Sequence, residues 1–290
     1  MNYRITHRTV YQYAAPVTVS QHAACLRPRA TATQEAKDFH LRIEPEPGVR
    51  TMRTDYFGNR VCFFSIQGLH SRLEIVATSH VTVREVTPPT PGLSMPWEAA
   101  AELFSDPVSV ELIEPYQFVA DSPMVRALPK LADFARESFP ADVPLLTGVL
   151  DLNRRIHREF KFDPVATTVA TPLEEVWQTR RGVCQDFAHL GTAMLRSLGL
   201  PARYVSGYLR THPPAGRARL VGADASHAWF AVYCPNHGWV DFDPTNDVMP
   251  GPEHVTVAFG RDFSDVSPVS GIITGGGSHT VKVAVDVEPL

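Results

Sequence analysis

The chain has 290 residues, 44% hydrophobic and 20% charged, a balance that excludes a disordered tail or a fibre and leaves room for one large or two modest domains. Its 27 Lys and Arg against 31 Asp and Glu give a net charge of −4, so no global field draws it to nucleic acid or to an anionic membrane, and neither is expected as a partner. No run of about 18 apolar residues occurs, Met1 to Tyr13 lack the apolar stretch of a secretory signal, and Cys25, Cys62, Cys184 and Cys234 form no C-x-x-C pair; the expectation is a soluble, cytoplasmic protein without a disulfide scaffold.

Tyr3, Ile5, His7, Thr9, Tyr11 and Tyr13 alternate with mostly polar neighbours, the pattern of a half-buried antiparallel strand. Phe39-Leu41-Ile43 repeats it, Tyr56 to Arg60 read as a hairpin turn, and Val61 to Ile66 and Leu73 to Val83 supply further strands. Residues 1–86 are thus expected to form a β-sandwich. Thr87-Pro88-Pro89-Thr90-Pro91-Gly92 cannot join a sheet ladder and opens an extended connector, residues 87–119.

From residue 120 the period turns helical, clearest in Leu146, Val149, Leu150, Ile156 and Phe160. A helix is predicted to open at Thr171-Pro172-Leu173-Glu174, with Thr171 as cap and Glu174 closing a capping box. Another runs from Cys184 to Ser197, ended by Gly199 and Pro201. Strands follow at Arg203–Leu209, His227–Cys234 and Trp239–Phe242, then a loop at Gly271–Gly277 and a last strand, Thr280–Val287. Residues 120–290 therefore read as an α+β core.

Cys184 follows Gly182-Val183 at the first turn of its helix, where unpaired amide N–H groups carry partial positive charge and favour a thiolate. Arg180 and Arg181 are expected to add to that field and Asp186 to oppose it. Downstream, Ser226 to Tyr233, Pro235-Asn236-His237-Gly238 and Trp239 to Pro244 form a hairpin pattern. A turn centred on Pro235 or on Asn236 places His227 opposite Asp243 or one diagonal step from it, on one face; Asp241 shares that face and is the rival acid. Cys184, His227 and Asp243 then supply a nucleophile, a base and the carboxylate that orients the base.

The blocks Gly182 to His189, Leu198 to Tyr208, Ser226-His227-Ala228-Trp229 and Gly238 to Asn246 resemble, in order, the cysteine, linking, histidine and aspartate blocks of the transglutaminase-like superfamily, and residues 1–86 resemble the β-rich amino-terminal region of its bacterial members. The resemblance implies a papain-like α+β core with Cys184 as nucleophile, His227 as base and Asp243 as orienter. It departs in one place: the segment Thr167 to Thr171 lacks the tryptophan with which animal transglutaminases help hold the oxyanion, and Trp177 reads as core. Their calcium-binding acidic clusters are not evident either, so neither metal nor other cofactor is implied.

Trp229 and Tyr233, on the His227 face, and Tyr208 are candidates for a substrate groove. His189 reads as a structural residue, and Pro213 to Arg219 as a loop over the active face. The function expected is thiol-dependent acyl transfer from an amide or peptide carbonyl of a peptide or protein substrate, hydrolytic in outcome, as in a cysteine peptidase or amidase. Transfer to an amine, as in a protein-glutamine gamma-glutamyltransferase, is the alternative, and a non-catalytic binding scaffold is the alternative of another class.

Overall fold

The computed structural model describes residues 1–106, 109–211 and 225–290. Strands β1 (Asn2–Ala24), β2 (Gln34–Glu44), β3 (Val49–Thr54) and β4 (Arg60–Val83) come first. Helices α1 (Trp97–Leu103), α2 (Val110–Tyr116), α3 (Pro129–Arg136) and α4 (Leu145–Glu159) follow. Next are β5 (Lys161–Phe162), α5 (Leu173–Thr179), β6 (Arg181–Gly182) and α6 (Cys184–Arg196). The chain continues through β7 (Ala202–Leu209), β8 (Ala225–Cys234), β9 (Gly238–Phe242), β10 (His254–Gly260), α7 (Phe263–Val266), β11 (Val269–Gly275) and β12 (His279–Pro289). None of the described helices is long and apolar enough to cross a membrane.

The expected mixed α/β architecture with large antiparallel sheets is present, and the amino-terminal layers are built from long strands that bend. β1 and β4 each pass through register shifts near Gln12 and Val17, so their outer limbs pair with β12 and β2 and their inner limbs with β11 and β3. Leu41, Ile43, Leu73 and Ile75 from one limb share a buried cluster with Ala24, Cys62, Phe64 and Ile66 from the other. The two strands expected at Val61–Ile66 and Leu73–Val83 are thus one strand, its polar middle being the bend.

Three other expectations change. Val269–Gly275 is a strand rather than a loop, and it and β12 both pair with β1, so the carboxy-terminal end closes the amino-terminal sheet. The segment 87–119 is not wholly extended: α1 and α2 lie within it, and Met95, Trp97 and Ala100 pack on the core beside Leu145 and Leu146. The helix α5 begins after Pro172, because the Thr171 hydroxyl accepts the Thr168 N–H and closes a local turn instead of capping.

In the core, α6 packs against the sheet β10-β7-β8-β9. Phe187, Leu190, Met194 and Leu195 bury one flank of the helix among Leu145, Leu152 and Ile156 of α4 and Phe230 and Phe242 of the sheet. β10 is an edge strand, and side-chain amides from the amino-terminal sheet occupy its edge. Gln34 accepts the Thr256 N–H at 2.9 Å and donates to the Thr256 carbonyl at 2.7 Å; Asn59 accepts the Phe259 N–H at 3.1 Å and donates to the Phe259 carbonyl at 3.0 Å.

Candidate active site

Cys184 is the first residue of α6, where its N–H is one of the four that the helix cannot satisfy internally. The entry to the helix is fixed by Asp186, whose carboxylate accepts the Val183 N–H at 2.8 Å and the Thr167 hydroxyl at 2.7 Å. Gly182 makes room for this: a Cβ there would lie 2.6 Å from the Asp186 Oδ2. Burial raises the Asp186 carboxyl, and the two hydrogen bonds pull it back. The flanking arginines are engaged elsewhere. Arg180 stacks 3.7 Å from the Trp177 ring centroid, and Arg181 pairs with Asp163 at 3.4 Å, so neither is the aid to the thiolate that their positions suggested.

β8 and β9 pair with Phe230 opposite Phe242, a turn centred on Asn236, which has a positive φ of 69°. That register sets Asp243, just past the end of β9, one diagonal step from His227. His227 Nε2 and Asp243 Oδ2 are 2.7 Å apart, with Asp243 0% and His227 7% exposed. The ring also has a side-chain hydrogen bond with Cys184. Burial works against charge on His227, but its hydrogen bonds to Asp243 and Cys184 outweigh that and hold the ring up to about 10. Cys184 itself is half-buried.

Asp243 is held on every side. Oδ1 accepts the N–H groups of Thr245 and Asn246 at 2.9 and 3.2 Å, an Asx-type turn beyond Pro244. Oδ2 accepts from the Asn246 amide at 2.7 Å and faces His254 Nε2 at 3.0 Å. Desolvation would raise this carboxyl, and these donors together force it well below the usual range. Its main chain pairs with Val248, while His157 of α4 reaches the Pro244 and Thr245 carbonyls. Asp241 lies on the same face but is opposite Ala231, within the field of Arg203, and is not bonded to His227.

The groove candidates fall differently. Trp229 is fully buried, with its ring 6.1 Å from His227 and 5.3 Å from His254, and it contributes with Asp241 and His254 to the lining of a cavity. It fits over Gly207, where a Cβ would stand 2.5 Å from the indole. Tyr208 is 2% exposed and faces the amino-terminal sheet beside His7, which removes it from any groove. Tyr233 is half-buried between Phe104 and Trp239. His189 is buried, accepts the Phe263 N–H at 3.1 Å and is driven down to about 4 by burial. Trp177 packs on Phe134 and Phe160. The expected loop at Pro213–Arg219 lies outside the described residues.

His254 and Asn246 had no assigned role in the sequence. His254 carried no local signal, since β10 reaches the site by pairing with β7, its neighbour in the sheet but three strands earlier along the chain. With His227 and Asp243 it forms a group whose ligand atoms lie within 4.8 Å of one another, the only one among the described residues that could hold a metal ion. Residue spacing alone did not reveal it. The three side chains already satisfy one another through Asp243 Oδ2.

A mixed α/β core with a cysteine at a helix start and a histidine–aspartate pair on the facing hairpin defines the class. Residues 3–82 match the model of the bacterial transglutaminase-like N-terminal region, and residues 133–244 match that of the transglutaminase-like superfamily. The chain is 38% identical over 99% of its length to the uncharacterized protein Rv2569c of Mycobacterium tuberculosis, covering 93% of that protein. A match at 32% identity over 137 residues, 44% of this chain and 19% of the relative, is to the protein-glutamine gamma-glutamyltransferase of Pseudomonas aeruginosa. Among solved structures, a putative cysteine protease from Cytophaga hutchinsonii shares the fold, with a TM-score of 0.76 and 22% identity over 99% of this chain and 90% of that one. The chain belongs to the transglutaminase-like superfamily.

Proposed function

We propose that this protein is a cysteine hydrolase that cleaves an amide or peptide bond of a peptide or protein substrate through a thioester on Cys184. The observation that carries this reading is the buried 2.7 Å contact between His227 and Asp243, on a ring that also hydrogen-bonds with Cys184 at the helix start. The hydrogen bonds of His227 to Asp243 and Cys184 favour its protonated form, and the Cys184 sulfur is the nucleophile. The sulfur attacks the carbonyl carbon, and the Cys184 N–H at the helix start donates to the oxygen that gains charge. The tetrahedral adduct collapses as the C–N bond breaks, and His227 gives its proton to the departing nitrogen. The neutral ring then takes a proton from water, whose oxygen attacks the thioester carbon; the acid leaves, and the sulfur regains its charge beside a protonated His227.

Transfer to a primary amine is the second reading, favoured by the likeness to the Pseudomonas transferase over 44% of the chain. Mass analysis of a glutamine-bearing peptide library, with and without a primary amine, separates the two. Hydrolysis gives cleaved or deamidated peptide in both mixtures, whereas transfer gives an amine adduct. Cys184→Ala is expected to fold normally and lose all turnover; activity near wild type in that variant would overturn the nucleophile.

A further inference from the structure

The role of His254 follows from where its proton must be. The Gly251 N–H points at His254 Nδ1 at 3.4 Å, so Nδ1 accepts, and the ring proton sits on Nε2, aimed at Asp243 Oδ2 3.0 Å away. His254 is thereby a donor to Asp243 Oδ2. The ring is nearly enclosed, with 8% of its side chain exposed and its edge set against the Trp229 indole at 85°.

Two imidazoles and the Asn246 amide converge on one oxygen, Asp243 Oδ2. A carboxylate facing His227 alone could turn about its Cα–Cβ–Cγ bonds and carry the ring with it. The N–H groups of Thr245 and Asn246, the Asn246 amide and the second imidazole together remove that freedom, and His254 is the donor among them that comes from a separate strand. His254 is in turn held by its strand. Thr256, two residues on, is clasped at both its N–H and its carbonyl by Gln34, and the Tyr3 hydroxyl donates to the Pro252 carbonyl at 3.1 Å. The amino-terminal sheet therefore reaches the catalytic carboxylate through β10.

We infer that His254 is a positioning residue of the acyl-transfer site, holding Asp243, and through it the His227 ring, in line with Cys184, and that the amino-terminal sheet sets its place. This rests on the acyl-transfer reading. It does not need the substrate to be known.

The test is the rate at which iodoacetamide alkylates Cys184 in the full chain at pH 6, read peptide by peptide with Cys25, Cys62 and Cys234 as internal references. In the wild type Cys184 is expected to react far faster than the other three. His254→Phe keeps the ring's volume but not its donor, and should slow Cys184 about tenfold, in the range for loss of an orienting hydrogen bond. His254→Gln, whose amide can reach Oδ2, should recover most of the rate, a distinction that a packing role would not make. Should the Phe variant not fold, His254→Asn replaces it: its shorter amide falls short of Oδ2, so it should be slow where the Gln variant is fast. Equal Cys184 rates in the wild type and in the Phe or Asn variant would overturn the role of His254 and leave the nucleophile standing. A wild-type Cys184 no faster than the other cysteines would instead overturn the acyl-transfer reading and this inference with it.

Discussion

His7 on β1 and His227 on β8 are both strand histidines with almost no exposed surface, yet their surroundings push their rings in opposite directions. His7 has a single side-chain partner, the Thr9 hydroxyl at 3.0 Å, and burial drives its ring down to about 4, so it is neutral in the folded protein. His22, further along β1, falls to about 4 for the same first reason, with a contribution from His70. His227 carries the same burden of desolvation and is held up to about 10. Burial thus decides nothing alone. A carboxylate within hydrogen-bond reach, itself saturated by donors, converts a buried ring from a neutral packing element into a proton carrier.

The most direct way to break that contrast is to remove the charge and keep the shape. Asp243→Asn should leave the fold intact and turn His227 into a ring of the His7 kind, neutral at pH 7. Turnover on any accepted peptide should fall by a factor on the order of 10³ to 10⁴, as where a triad aspartate loses its charge elsewhere. A fall in kcat below tenfold would mean that His227 does not depend on this carboxylate.

A second variant moves the other partner of His227. Gly182→Ala puts a methyl group against the Asp186 carboxylate, which must leave its bonds to Val183 and Thr167 or push the helix entry aside. The expected cost in urea unfolding is about 1 to 3 kcal/mol, the range for an overpacked buried site. A larger relative loss in Cys184 alkylation than in stability would show that the position of the sulfur matters more than the strength of the helix. An unchanged unfolding midpoint would mean that Asp186 yields freely.

Much of this site was legible before any coordinates. A glycine, a cysteine and a helical period put Cys184 at a helix start, and the hairpin turn left only two registers for His227 and Asp243, of which the structure adopts the one centred on Asn236. The residues that escaped share one property: their partners are set by topology. Nothing near His254 announces that β10 will lie against β7, and nothing in Thr280–Val287 announces that it will pair with β1 at the opposite end of the chain. Period two placed Trp229 on the face of His227, but could not say that His254 would stand edge-on to it. Arg180 and Arg181 misled for a similar reason. Their charges are close to Cys184 along the chain, while an aromatic cluster and Asp163 decide where they point.

The contrast can also be measured on a single axis. A histidine whose folded value lies near 4 binds fewer protons than the unfolded chain between pH 4 and 6.5, so the stability it gives is lost as pH falls through that window. One held near 10 binds more protons than the unfolded chain between 6.5 and 10; the stability from that pairing is complete below 6.5 and is lost as pH rises toward 10. Each ring contributes a slope of at most about 1.4 kcal/mol per pH unit, in opposite directions. Urea midpoints at pH 4.5, 6.5 and 9.5 should then show His7→Leu flattening only the acid limb and His227→Gln only the alkaline limb. If His7→Leu left the acid limb as steep as in the wild type, the neutral state assigned to buried rings without a carboxylate partner would be wrong. If His227→Gln left the alkaline limb unchanged, His227 would carry no proton above pH 6.5, and the comparison between the two strands would collapse into burial alone.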